Sequence, residues 1–88
     1  MEGWIKIFRQ MIDWEWYKDV PTKTLFIHLL LTANYEDKKW KGITIKRGQL
    51  ITSLNHLSEE TGLSKQQVRT ALKKLVATHE VTQLSTQR

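Results

Sequence analysis

Two helix-start signals and one helix-stop signal follow in close succession in the segment SLNHLSEETGLSKQQVRTALKKLVA. Ser53 can cap a short helix, and Gly62 supplies the positive φ at which a helix commonly ends. Ser64 can then begin a second helix, and Gln67, three residues later, completes a Ser-x-x-Gln capping box. The pattern predicts two helices, the first short and the second longer, joined by a three-residue turn.

Both predicted helices have one apolar side. In the first, over residues 54–61, Leu54 and Leu57 face inward; in the second, over residues 64–77, apolar residues recur at i, i+3, i+4, i+7 and i+8. Two such helices around a glycine-containing turn are typical of a helix-turn-helix, whose second helix enters the major groove of DNA. The apolar stripe comprises Val68, Ala71, Leu72, Leu75 and Val76, and the opposite side carries Gln66, Arg69, Thr70, Lys73 and Lys74.

A nearly all-apolar segment predicts a core helix over residues 22–35. Asp19 or Thr22 can cap this helix, with Pro21 tolerated at its entry. A helix that is apolar on almost all sides is buried on more than one side. In so small a domain this indicates either a central core helix or a helix that shares a face with a second subunit.

Residues 1–20 form an aromatic arm that contains the run WEWY. Such a run could be a platform on which single-stranded bases stack. Stacking platforms normally lie in a positive groove, whereas Asp13, Glu15 and Asp19 make this segment acidic. Packing of the aromatic rings, in the core or in a subunit interface, is therefore the favoured interpretation.

Short strands are expected over residues 43–53. Ile43 and Ile45 alternate with polar residues, and residues 50–51 follow a turn that contains Gly48, which indicates one or two strands or a hairpin.

The fold class predicted from these elements is α+β, mostly helical. A strand over residues 80–85 would begin a wing, so that residues 80–88 form a partial wing after the helix-turn-helix of residues 54–77. The chain is then one winged helix-turn-helix domain over residues 1–88, with a short β-hairpin and an N-terminal aromatic arm.

The net charge of +5 is unevenly distributed. Residues 1–37 hold four basic and six acidic residues, residues 38–53 hold five basic residues and no acid, and residues 54–88 hold five basic and three acidic residues. The positive second half fits a polyanionic partner such as nucleic acid. The basic runs KKWK and Lys46–Arg47 either contact phosphates or form a solvated loop, and the sequence favours neither alternative.

Several kinds of chemistry are excluded. The chain has no cysteine, and His28, His56 and His79 show no metal-ligand spacing, so neither a metal nor a cofactor is expected. Glu59 and Glu60 diverge by about 100° on a helix and form no catalytic pair, so an enzyme is not expected. The longest apolar run is too short to span a bilayer and the N-terminus lacks a signal-peptide layout, which favours the cytoplasm.

Three segments resemble the N-terminal domain of DnaD-like replication proteins, which include replisome organisers of phages and mobile elements: GWIKIFRQMIDWEWYKD, LFIHLLLTANYEDKKWKGITIKRGQLITS and LSEETGLSKQQVRTALKKL. The resemblance implies a self-associating winged-helix domain that binds DNA during replication initiation or primosome assembly. The chain departs from the family pattern at His79, where Gly or Asn is usual, and at Gln83, which interrupts the wing strand. It also ends at Arg88, without the family's C-terminal domain. The chain is therefore expected to be an excised domain or a naturally short relative, with a wing that is incomplete or paired with another subunit.

The expected partners are duplex DNA, a second copy of the chain (a dimer first) and possible further replication proteins, without a membrane. Two rival functions stay open: a self-assembly or protein-interaction module without strong DNA binding, and a repressor-type regulator that reads symmetric half-sites. The predicted self-association residues are Trp4, Ile5, Phe8, Trp14, Trp16, Leu29 and Leu30. The predicted DNA-binding residues are Ser64, Lys65, Gln66, Gln67, Arg69, Thr70, Lys73 and Lys74 on the second helix, together with Lys46, Arg47 and Arg88.

Overall fold

A computed structural model describes residues 3–34 and 36–82 of the chain. Within these ranges the domain is α+β, with three α-helices, one two-stranded antiparallel sheet and a short 3₁₀ helix, which confirms the predicted fold class at this coarse level. In chain order the elements are the 3₁₀ helix (Arg9–Asp13), α1 (Val20–Thr32), β1 (Lys38–Trp40), β2 (Ile43–Ile45), α2 (Leu54–Thr61) and α3 (Lys65–Ala77).

The ends of α2 and α3 are determined by the local signals in the sequence. The Ser53 hydroxyl accepts a hydrogen bond from the backbone N–H of His56 at 3.2 Å, and Gly62 ends α2 in the left-handed conformation with φ 83°. The Ser64 hydroxyl accepts from the Gln67 N–H at 3.1 Å, while the Gln67 side-chain oxygen accepts from the Ser64 N–H at 2.9 Å. The predicted caps, the capping box and the three-residue turn are all confirmed.

The hydrophobic core lies where the three α-helices meet. Its buried members are Leu25 of α1, Leu57 of α2, and Val68, Ala71 and Leu75 of α3. The three α3 residues belong to the predicted apolar stripe, and the opposite side of α3 therefore faces outward. Packing thus orients α3 with its polar side toward solvent.

Helix α1 begins two residues earlier and ends three residues earlier than the predicted range of 22–35. Asp19 provides its cap, since its Oδ1 accepts from the Thr22 N–H at 3.2 Å. This chain covers α1 on more than one side: Leu25 packs in the core with α2 and α3, and Phe26 contacts Trp14 of the aromatic arm. One side stays uncovered, where Leu30 and Leu31 are exposed. Burial of α1 is therefore extensive but not complete within one chain.

The hairpin lies earlier in the chain than predicted. Strands β1 and β2 pair through a two-residue turn at Lys41 and Gly42, both at positive φ (51° and 78°), the geometry of a type I′ turn. Residues 50–51 form no strand; they follow a separate turn in which Gly48 has φ 86°, as predicted. Asn34 connects this turn to the end of α1, because its carbonyl accepts from the Gly48 N–H at 2.7 Å.

Residues 14–16 of the aromatic arm, which we call the aromatic segment, lie before α1 and pack onto the C-terminal part of α3. Trp14 and Trp16 both contact the core, and the Trp14 ring centroid lies 4.9 Å from that of Phe26. Trp14 Nε1 donates to Glu80 at 3.2 Å, and Trp16 Nε1 donates to the Thr78 hydroxyl at 3.0 Å. For these two rings the structure supports packing rather than base stacking.

The residues after α3 reverse the chain in a Schellman motif. His79 has φ 66°, its N–H donates to the Val76 carbonyl at 3.1 Å, and the Glu80 N–H donates to the Leu75 carbonyl at 3.0 Å. Residues 80–82 are not in a strand, so the described part of the predicted wing is irregular. Residues 83–88, including Gln83 and Arg88, lie outside the described residues.

Replacing His79 with glycine is expected to raise the free energy of unfolding by about 0.5–1 kcal/mol. Glycine removes the steric cost that a side chain has at positive φ, and this gain exceeds the entropy that glycine adds to the unfolded chain. The measurement is urea denaturation of both proteins at neutral pH.

The matched control for that substitution is His56→Gly, an exposed position within α2. Glycine in a helix interior is expected to cost about 0.5–1 kcal/mol, so the same chemical change should act with opposite sign. A loss of stability in His79→Gly would contradict the left-handed assignment at His79.

None of the helices in the described ranges combines the length and the apolar character that crossing a bilayer requires.

Candidate nucleic-acid interface

The outer face of α3 is basic and contains no carboxylate. The helix Lys65–Ala77 has four Lys or Arg residues and neither Asp nor Glu. The side opposite the buried stripe is exposed to solvent and consists of Gln66, Arg69, Thr70 and Lys73. We refer to these four residues as the α3 outer face; all of them belong to the predicted DNA-binding set.

Three side chains of the α3 outer face are connected by hydrogen bonds along the helix. Arg69 Nη1 donates to Gln66 Oε1 at 3.0 Å, and Gln66 Nε2 is 3.3 Å from the Thr70 hydroxyl. These i, i+3 and i, i+4 contacts hold the guanidinium and the amide side by side on the surface. Guanidinium and amide groups are also the groups that pair bidentately with guanine and adenine edges.

Hydrogen bonds from the preceding turn fix the start of α3. Ser58 Oγ donates to the Leu63 carbonyl at 2.6 Å, which connects the last turn of α2 to the residue before the α3 cap. Ser64 and Gln67 are engaged in the capping box, so the same polar atoms that were predicted to contact phosphate satisfy the helix start. Lys65 is exposed beside them.

Lys74 is directed away from the α3 outer face. Its ammonium group forms an ion pair with Asp19, the cap of α1, and lies 5.4 Å from the centroid of the Trp16 ring. The hydrogen bond from Lys74 lowers the pKa of the Asp19 carboxyl, and the N–H of Thr22 lowers it further. Lys74, predicted as a phosphate contact, therefore serves to hold α1 against α3.

Replacing Asp19 with asparagine is expected to lower stability at neutral pH by up to about 1 kcal/mol and to leave it unchanged in acid. The folded state lowers the carboxyl pKa below its ordinary 3.8, so the contribution is present above that pH and disappears as the pH falls through the lowered value. Asparagine caps helices as well as aspartate does, so only the charge is lost.

Thermal unfolding of Asp19→Asn and the parent chain between pH 7 and pH 2 measures this effect. The control is Asp13→Asn, the same change at an exposed position. If Asp19→Asn lowers the unfolding temperature equally at pH 7 and at pH 2, the ion pair with Lys74 contributes nothing to stability.

Lys46 and Arg47 lie at the other end of α1 from the Asp19–Lys74 contact. Their backbone N–H groups donate to Gln49 Oε1 at 2.8 Å and to Asp37 Oδ1 at 2.9 Å, respectively, and both residues are exposed. Because α1 is about 20 Å long, the structure places these two cations well away from Lys74. The predicted DNA-binding residues thus form two basic regions, one along α3 and one at Lys46 and Arg47. Arg88, the remaining predicted residue, lies outside the described residues.

The predicted self-association residues divide into two groups. Trp14, Trp16 and Leu29 pack against the core of their own chain, and Ile5 is half-buried. Exposed residues are Trp4, Phe8 and Leu30, with 79%, 69% and 40% of their surface accessible.

The described residues offer no group of three or more potential metal ligands. His28 is half-buried, and its Nε2 lies 2.9 Å from Glu60 Oε1, a contact that connects α1 to α2.

Sequence reasoning missed the partners that anchor the aromatic segment and Lys74. Glu80 and Thr78 accept hydrogen bonds from two indoles more than 60 residues earlier in the chain, and Asp19 pairs with a lysine 55 residues later. No periodicity or spacing connects residues so far apart. Complementary charge could have suggested the Asp19–Lys74 pair, and no signal in the sequence indicated the two indole hydrogen bonds.

Comparisons with family models, with curated proteins and with solved structures found no match to this chain. What the domain does is therefore inferred from its own residues.

Proposed function

We propose that this domain is the winged helix-turn-helix DNA-binding module of a DnaD-like replication initiation or primosome protein acting in the bacterial cytoplasm. The observation that supports DNA binding most directly is the α3 outer face, which presents four exposed hydrogen-bonding side chains. Helix α3 contains no acidic residue, and it begins directly after a three-residue turn with a capping box. This is the position and composition of a recognition helix. The replication context rests on the resemblance of the three sequence segments.

In the proposed complex the α3 outer face lies in the major groove. Arg69 would pair with O6 and N7 of a guanine, and Gln66 would pair with N6 and N7 of an adenine. Both groups would exchange their present mutual hydrogen bond for bonds to bases. Thr70 and Lys73, which also belong to the α3 outer face, would contact neighbouring bases or phosphates.

Phosphate contacts would come from the two basic regions. Lys65 lies at the start of α3, and Lys46 with Arg47 lies at the far end of α1. Contacts of this kind position a domain on DNA and make the affinity depend on salt, but they carry no sequence information.

The test is fluorescence anisotropy of a labelled random duplex, titrated with the whole chain between low and physiological salt. We expect binding at low salt. The logarithm of the association constant should fall linearly with the logarithm of the salt concentration, with a slope of about −0.9 for each phosphate that the protein neutralises. Absence of duplex binding at low salt would overturn the proposed function.

A second candidate function, self-association, is supported by the uncovered side of α1. Leu30 and Leu31 are exposed on a helix of strongly apolar composition. A second copy could cover this side of α1. Concentration-dependent sedimentation that persists at high salt would support self-association, and a monomer at all concentrations would exclude it.

A further inference from the structure

The segment of residues 3–9 presents aromatic and basic side chains outward together. Trp4 and Phe8 have 79% and 69% of their surface accessible, and Lys6 and Arg9 are also exposed. Residues 3–12 contain no Asp or Glu. We call residues 3–9 the basic-aromatic arm.

The arm and the acidic run that follows it differ in the placement of their aromatic rings. Trp14 and Trp16, which belong to the acidic run, pack inward, and Asp19 forms an ion pair with Lys74. Asp13 and Glu15 stay exposed after the arm, whereas the charged residues within the arm are Lys6 and Arg9. The inward packing that removes Trp14 and Trp16 from base stacking does not apply to Trp4 and Phe8.

An apolar groove of ≈ 600 Å³ lies between the arm and the rest of the domain. Phe8, Trp14, Phe26 and Leu30 are among its apolar walls, and Lys6, Asp13 and Glu80 are the charged residues that line it. The two carboxylates repel phosphate. Glu80 already accepts hydrogen bonds from Trp14 and Thr78, so Asp13 is the carboxylate that could accept one from a base N–H group, such as N3–H of an unpaired thymine. The groove thus suits a base whose phosphate stays outside, near Lys6.

We infer that the basic-aromatic arm binds single-stranded nucleic acid, with bases stacking on Trp4 and Phe8 and phosphates held by Lys6 and Arg9. Unpaired bases expose the π faces that aromatic side chains stack on, whereas a duplex conceals them. Trp4 and Phe8 are at most about 14 Å apart along the chain, a span that a few nucleotides cover.

The charges of the arm favour nucleic acid over a second copy of the chain. In a symmetric dimer built on this arm, Lys6 and Arg9 of one copy would approach the same cations of the other near the axis. Residues 3–9 contain no acidic residue that could pair with these cations; the nearest described acids, Asp13 and Glu15, follow the arm. Phosphates neutralise both charges without this conflict.

The experiment titrates the whole chain into a labelled twelve-nucleotide oligothymidylate and separately into the duplex used above. We expect Trp4→Ala and Phe8→Ala each to bind the oligothymidylate about tenfold more weakly, while duplex affinity is unchanged. Trp4→Phe should retain most of the affinity, because a smaller ring still stacks. Ile12→Ala, an exposed apolar residue outside the arm, is the control and should bind as the parent does.

The arm and α3 give separable results. Arg69→Ala should weaken duplex binding and leave oligothymidylate binding in place, so failure of either proposal is visible without failure of the other. Unchanged oligothymidylate affinity in Trp4→Ala and Phe8→Ala would overturn the inference. So would a loss of self-association in these variants with no change in binding, which would assign the arm to a second copy.

Discussion

Replacing Leu25 with alanine is expected to lower the free energy of unfolding by about 2–5 kcal/mol. Leu25 is fully buried where α1 meets α2 and α3, in contact with the cluster that includes Leu57 and Leu75. Removal of the three side-chain carbons beyond Cβ loses the transfer free energy of those atoms and leaves a cavity that the three helices can close only in part. Since small domains are stable by about 5–15 kcal/mol, a substantial unfolded fraction is expected near physiological temperature.

The matched control is Leu31→Ala, the same change on the same helix at a position with 50% of its surface accessible. Its expected cost is below about 1 kcal/mol, because little apolar surface returns to water and no cavity forms. Urea denaturation at two protein concentrations measures both variants. A large, concentration-dependent cost for Leu31→Ala would show that a second copy covers this side of α1, and a small cost for Leu25→Ala would contradict the packing of the core.

Replacing Arg69 with alanine is expected to weaken binding to a preferred duplex by about 1–3 kcal/mol, the worth of a bidentate contact to a base. Arg69 lies within the α3 outer face, where it is exposed and is oriented by its hydrogen bond to Gln66. The measurement is anisotropy on a duplex chosen by selection from a random pool, compared with an unrelated duplex.

Three outcomes separate the possible roles of Arg69. A loss confined to the preferred duplex identifies a base contact, and an equal loss on every duplex, with a salt dependence reduced by about one phosphate, identifies a phosphate contact. No loss on any duplex would exclude Arg69 from the interface. Lys18→Ala, an exposed cation before α1, controls for the loss of one positive charge.

The predicted helix boundaries around the α2–α3 turn agree with the structure because their causes are local. Ser53, Gly62, Ser64 and Gln67 act on backbone groups within four residues of themselves. The outward orientation of Arg69 is predictable for the same reason, since helical periodicity alone places it opposite the buried stripe.

The predicted hairpin differs from the observed one because a strand exists only with its partner. Residues 50–51 have the composition of a strand, but the paired segments are β1 and β2, on either side of a tight turn at Lys41 and Gly42. A lysine at positive φ is an uncommon turn residue, so the earlier hairpin gave a weak signal. Tertiary context decided the pairing.

Local sequence signals are sufficient to place the ends of α2 and α3 and the polar side of α3, because caps and periodicity act within one or two helical turns. Assembly of the helices, in contrast, pairs Lys74 with Asp19 and leaves Arg69 without a carboxylate among the described contacts. It also decided that Trp14 and Trp16 pack inward while Trp4 faces solvent. These outcomes depend on contacts between residues far apart in the chain, which form only when the helices assemble.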